Sequence, residues 1–123
     1  MLANPYQKYK QNQVETSSPQ QLIIMLYNGA IKFLKLAQMG ITEQSIEKAH
    51  TNIIKTQDII NELMASLDMN QGEVASHLYS LYDYMNSRLL EANLKKDTQI
   101  LSEVENMLTE LRDSWVQALK FVQ

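Results

Sequence analysis

The sequence predicts an all-α fold, an antiparallel up-down-up-down four-helix bundle with a short N-terminal tail or helix packing on it. Three observations carry this. Only 3 glycines and 2 prolines interrupt 123 residues, so long elements are favoured over short strands joined by turns. Apolar side chains recur at alternating steps of three and four along four successive stretches, which is the period of a helix with one buried face. Start and stop signals separate those stretches by only a few residues, and short connections force neighbouring helices to run antiparallel.

Residues 1–17 form a segment ahead of the bundle, which occupies 18–123. The chain up to Val14 is mostly polar and Gln-rich, with Leu2, Tyr6 and Tyr9 scattered through it. Tyr6 and Tyr9 lie three apart, so one helical turn puts both rings on one side. Two readings of this segment stay open: a cover laid on the bundle, or a frayed terminus with incidental tyrosines.

The first helix spans 18–39. Ser18 is placed to accept from an orphan backbone N–H, Pro19 suits the first helical position, and Gln21 can reach back as in a capping box. Gly40 is expected to supply a left-handed stop, and Thr42 to cap a second helix over 43–67. Asp68 to Gly72 is the next loop. The third helix, 73–94, has Glu73 in its first turn and Arg88, Lys95 and Lys96 at or beyond its last turns, in agreement with the helix macrodipole. Asp97 is positioned to cap the fourth helix, 97–122.

The core stripes follow from spacing. Helix one offers Ile23, Leu26, Ala30, Phe33 and Ala37; helix two Ile46, Ala49, Ile53, Thr56, Ile60, Leu63 and Leu67. Helix three offers Leu78, Leu81 or Tyr82, Met85, Leu89 and Ala92; helix four Leu101, Val104, Leu108, Leu111, Trp115, Leu119 and Val122.

Apolar residues exceed what these stripes need. The unbroken run Leu22-Ile23-Ile24-Met25-Leu26-Tyr27 goes most of the way round its helix, so part of it faces away from the bundle axis. Leu78, Tyr79, Leu81, Tyr82, Tyr84 and Met85 repeat the pattern on helix three, joined by Ile59 and Met64 on helix two and by Met107, Val116 and Phe121 on helix four. A contiguous exposed patch of this kind marks a partner surface, and Met and Tyr suit one that adapts to a helical ligand. A wide core or a homodimer could absorb the same side chains.

Composition excludes several classes of function. Eleven basic against 14 acidic residues give a net charge of −3 with no basic cluster, so nucleic acid is not an expected partner. No cysteine is present, which removes disulfides and thiolate metal sites and suits a reducing compartment, the cytoplasm. The opening residues lack the apolar run of a secretory signal, and no membrane insertion is expected. Glu47-Lys48-Ala49-His50 has the Glu-x-x-His spacing used by di-iron bundles, but the other histidine, His77, has Val74 where the second motif requires a glutamate. With no cysteine and each histidine alone on its helix, no nucleophile and base are marked, so neither an enzyme nor a cofactor or metal site is expected. Gly29, inside the first helix, reads as a close helix contact and not as part of a phosphate loop.

Ser17-Ser18-Pro19-Gln20-Gln21-Leu22-Ile23-Ile24-Met25-Leu26-Tyr27-Asn28-Gly29-Ala30 resembles the opening signature of the FliS flagellin chaperones, usually S/T-x-P-x-x-L-I-x-M-L-Y-D/E-G-A. Ile59 to Asp68, Leu78 to Met85, Leu89 to Asn93 and Leu111 to Trp115 are similar to later segments of that family, in register across nearly the whole chain. Asn28 stands where the family usually has an acid. The resemblance implies a cytoplasmic export chaperone that holds the C-terminal segment of flagellin in surface grooves and blocks premature polymerisation. It also implies that the N-terminal tyrosine segment covers part of that surface until the client arrives. On this reading Tyr6 and Tyr9 form a lid, while Leu22, Met25, Leu26, Tyr27, Ile59, Tyr79 and Tyr82 form the contact surface. Other flagellar export or regulatory proteins are further expected partners, and the free chain is a monomer or weak dimer. The rival reading of the same apolar faces is a homodimeric helical adaptor or an anti-sigma-factor-binding regulator.

Overall fold

The computed structural model describes residues 18–122; the expectations for Tyr6, Tyr9 and the rest of the N-terminal segment lie outside the described residues. Four helices follow one another: α1 (Pro19–Thr42), α2 (Ile46–Ala65), α3 (Glu73–Lys95) and α4 (Thr98–Val122). A 3-10 turn at Met69–Gln71 lies between α2 and α3. Each helix packs on its neighbours in the chain, and α4 closes the ring against α1. This is the expected all-α bundle.

Local chemistry sets most of the helix ends. Ser18 Oγ accepts from the Gln21 N–H at 3.2 Å while Gln21 Oε1 accepts from the Ser18 N–H at 2.9 Å, completing the capping box. Asp97 Oδ1 accepts from the Gln99 N–H at 2.9 Å at the start of α4. Lys96, with a φ of 51°, ends α3 in the left-handed region, and its Nζ donates to the Asn93 carbonyl.

The α1–α2 corner differs from the sequence reading. Gly40 does not stop α1, which continues to Thr42, and the left-handed residue is Gln44, with a φ of 61°. Thr42 does not cap α2; its hydroxyl donates back to the Gln38 carbonyl at 3.1 Å. Ser45 is the cap, accepting from the Lys48 N–H at 3.2 Å. The physical reason is a close approach: a Cβ on Gly40 would lie 2.6 Å from the Ala49 backbone nitrogen, so the missing side chain lets the first turn of α2 pack on α1.

The buried face of α1 is also turned from the expected one. Tyr27, Ala30, Ile31, Leu34 and Ala37 are buried, whereas Ile23, Leu26 and Phe33 are only partly covered. Gly29 meets the tip of Ile59, as a close helix contact should, and that contact buries Ile59 between α1 and α2. Ile53, Ile60 and Leu63 of α2, Met85 and Leu89 of α3, and Leu101, Val104 and Leu108 of α4 complete the core. Each such side chain contributes about 1.5–3 kcal/mol on leaving water. α1 is long and apolar enough, by length and composition, to cross a membrane; here its apolar face is spent on α2 and α4.

Burial is uneven along the bundle axis. α1 has no buried residue before Tyr27, and α4 has none from 109 to 121. On α3 only Ala75 is buried ahead of Tyr82. In an antiparallel bundle these three stretches, with the last turn of α2, meet at one end. One half of the bundle is therefore closed and the other open.

A surface network ties α3 to α4 in the closed half. Arg88 Nε donates to Glu103 at 2.7 Å and its Nη1 to Glu91 at 2.6 Å, Lys95 also reaches Glu91, and the Tyr84 hydroxyl donates to Glu103. Hydrogen bonding from Arg88 and Tyr84 holds the Glu103 carboxyl below its usual range, and Lys95 followed by Arg88 does the same for Glu91. These contributions are present above the ordinary carboxylate pKa and are lost as pH falls through the lowered values. The groups are solvent-accessible, so Arg88→Met should lower unfolding stability only slightly. Urea titration at pH 7 and pH 3 should show that deficit at pH 7 and a smaller one at pH 3.

Candidate functional site

The open end holds an apolar cavity of about 990 Å³. Its walls are the first turns of α1 (Pro19, Leu22, Ile23, Leu26), the end of α2 (Ala65, Leu67), the start of α3 (Val74, Ala75, Leu78) and Trp115 of α4. A trough of about 570 Å³ continues from it between α3 and α4, lined by Val74, His77, Leu78, Leu81, Leu111, Trp115 and Ala118. Leu81 and Leu111 then lead into a further recess with Met107. Val74 and Leu78 belong to both the cavity and the trough, so the surface is continuous.

Tyr27 and Tyr82 close the inner boundary. Their hydroxyls hydrogen-bond to one another across the bundle, with rings tilted at 46° and centroids 6.5 Å apart. Trp115 lines the cavity on the α4 side. Both tyrosines are essentially inaccessible, and Tyr82 lines the cavity floor. Burial pushes both phenols above the ordinary tyrosine value, opposed at Tyr27 chiefly by the hydrogen bond with Tyr82 and reinforced at Tyr82 by its bond to Tyr27.

The predicted contact residues therefore divide. Leu22 and Leu26 line the cavity. Met25 is partly buried on α1, and Tyr79 is exposed on α3; neither lines the cavity or the trough. Tyr27, Tyr82 and Ile59 are in the bundle interior and not on an outer face, because each phenol finds a polar partner there and Ile59 fills the space above Gly29. Sequence reasoning placed Ile23, Leu67, Leu78, Leu111 and Trp115 in the core, whereas the structure makes them walls of the opening. The signal was present: Ile23 and Leu78 open their stripes, Leu67 closes its own, Leu111 and Trp115 lie in the second half of theirs, and in an up-down-up-down bundle these stretches converge.

Of the two histidines, His77 lines the trough. His50 Nδ1 accepts from Asn93 Nδ2 at 2.9 Å, away from the cavity. Among the described residues no group of three or more His, Cys, Asp or Glu side chains could hold a metal ion. A helical bundle closed at one half and lined with apolar side chains at the other presents an uncovered surface of the kind that marks an interaction site. The family described as flagellar protein FliS matches residues 2–121. The chain is 44% identical over 119 residues to the flagellar secretion chaperone FliS of Bacillus subtilis (strain 168), covering 97% of this chain and 89% of that one. It is 41% identical over 106 residues to the flagellar secretion chaperone FliS of Salmonella typhimurium (85% and 78% covered), and 37% identical over 111 residues to that of Campylobacter jejuni (89% and 87% covered). The chain belongs to the FliS family of flagellar secretion chaperones.

Proposed function

We propose that this chain is a cytoplasmic, non-enzymatic export chaperone that holds the C-terminal segment of flagellin, keeps it from polymerising prematurely and supports its export by the flagellar type III pathway. The observation carrying this reading is the open half of the bundle, where a continuous apolar cavity and trough stand uncovered by the chain's own four helices. A segment that is disordered alone and amphipathic when helical has a matching need to bury one face. Ordering such a segment consumes about 2–5 kcal/mol of the gross interaction, which leaves the complex releasable.

Leu22 and Leu26 act as contacts within the cavity, and Met25 and Tyr79 lie on flanking faces that a longer client reaches. Tyr27, Tyr82 and Ile59 act by holding the walls in place. The N-terminal segment with Tyr6 and Tyr9 serves as a lid that the client displaces. The test is light scattering on the full chain with and without a flagellin C-terminal peptide: a monomer or weak dimer that becomes a 1:1 complex is the expected result. A stable dimer indifferent to the peptide would overturn the proposal in favour of a homodimeric adaptor.

A further inference from the structure

The electrical character of the opening says something about its occupant that apolar lining alone does not. Glu62 and Asp68 stand on the cavity wall, Glu73 on the trough and Glu110 on the recess beyond it. All four are exposed. No lysine or arginine lines any of the three.

The basic side chains lie elsewhere or are engaged. Lys32, Lys35, Lys48, Lys55, Arg88, Lys95 and Lys96 belong to the closed half, and Lys120, exposed in the last turn of α4 at the open end, lines none of the three. Arg112, on α4 near the trough, is turned to α1, where its Nη1 donates to Asn28 at 3.1 Å and its Nη2 pairs with Asp113. By contrast, Glu62, Glu73 and Glu110 take part in none of the ion pairs among the described residues. An apolar trough bordered by one sign of unpaired charge sets a potential that selects the flanks of whatever enters it.

We infer that the cavity and trough select an amphipathic helical segment whose apolar face is bordered by lysine or arginine, with Glu62, Glu73 and Glu110 as the residues that read those flanks. The inference rests on the proposed function, since it presumes that the opening seats a peptide helix. The apolar walls supply affinity, and the rim supplies discrimination and orientation. Acidic flanks on an otherwise identical segment would face carboxylates at several points along the trough.

The test uses the full chain and two labelled synthetic peptides with the same leucine and alanine face, one flanked by lysines and the other by glutamates, read by fluorescence anisotropy. At about 0.02 M salt the lysine peptide should bind about tenfold more tightly, the sum of a few exposed pairs, and most of that preference should vanish at about 0.5 M. The triple variant E62Q/E73Q/E110Q should bind both peptides alike with unchanged helicity. Its three side chains are exposed and make no hydrogen bond that holds the fold together, and Asp68 is left alone because its carboxylate accepts from the Asn70 N–H. Equal binding of the two peptides to the parent chain would overturn the inference while leaving the opening as a peptide seat. A preference that survives in the triple variant would also overturn it. Absence of saturable binding by either peptide would overturn both the inference and the reading beneath it.

Discussion

Gly40→Ala should lower the unfolding free energy by about 3 kcal/mol, although alanine is the better helix former by about 1 kcal/mol. The position is helical and buried, and the added Cβ would stand 2.6 Å from the Ala49 nitrogen, 3.1 Å from the Ala49 Cα and 3.1 Å from the Lys48 carbonyl carbon. These are backbone atoms in the first turn of α2, so no rotamer change relieves the clash. The α1–α2 corner must open, which pulls Ala49 and Ile53 from the core. Gly29→Ala is the matched comparison: its Cβ would meet only the Ile59 Cδ1 at 3.2 Å, the movable end of a side chain. That variant should stay within about 1 kcal/mol of the parent. Urea denaturation of the two variants side by side checks the contrast, and equal stabilities would show that the corner can relax.

The same corner shows where sequence reasoning reaches and where it stops. Ser18 and Asp97 are legible as caps because the partners they need, the N–H groups of Gln21 and Gln99, lie two or three residues away on the same chain. Gly40 is not legible in that way. A glycine near the end of a periodic stretch serves equally as a left-handed stop or as the point where another helix touches, and only the neighbouring helix decides. The phase of the α1 stripe fails for a related reason: in the run from Leu22 to Tyr27 every position is apolar, so the pattern does not say which of them face inward. Tyr27, read as a contact residue, and Tyr82, read both as a core alternative to Leu81 and as a contact residue, are inside because each supplies the other's polar partner.

The open half is a subtler case. The apolar stripe of α4 runs through Leu111, Trp115 and Leu119 with unbroken spacing, yet none of these three is buried. Periodicity reports that a face needs cover and does not report who covers it. The excess of apolar residues visible in the sequence and the uncovered end visible in the structure are one fact.

Tyr27→Phe and Tyr82→Phe should each cost about 2 kcal/mol, while the double variant should cost little more than either alone. Removing one hydroxyl leaves the other buried without its partner, whereas removing both leaves no unpaired group. The non-additivity is set by the two oxygens being one buried pair. Rising pH gives an independent check. Both phenols have folded-state pKa values above the ordinary value of 10.0, so their contribution is intact below that pH. It is lost as pH climbs from there towards the folded values, because the unfolded chain releases those protons first. Chemical denaturation of the parent and the double variant at pH 8 and at about pH 11 should show the gap between them narrowing. A gap that stays constant would mean that the two hydroxyls titrate alike in the folded and unfolded chain, contrary to their burial at the floor of the cavity.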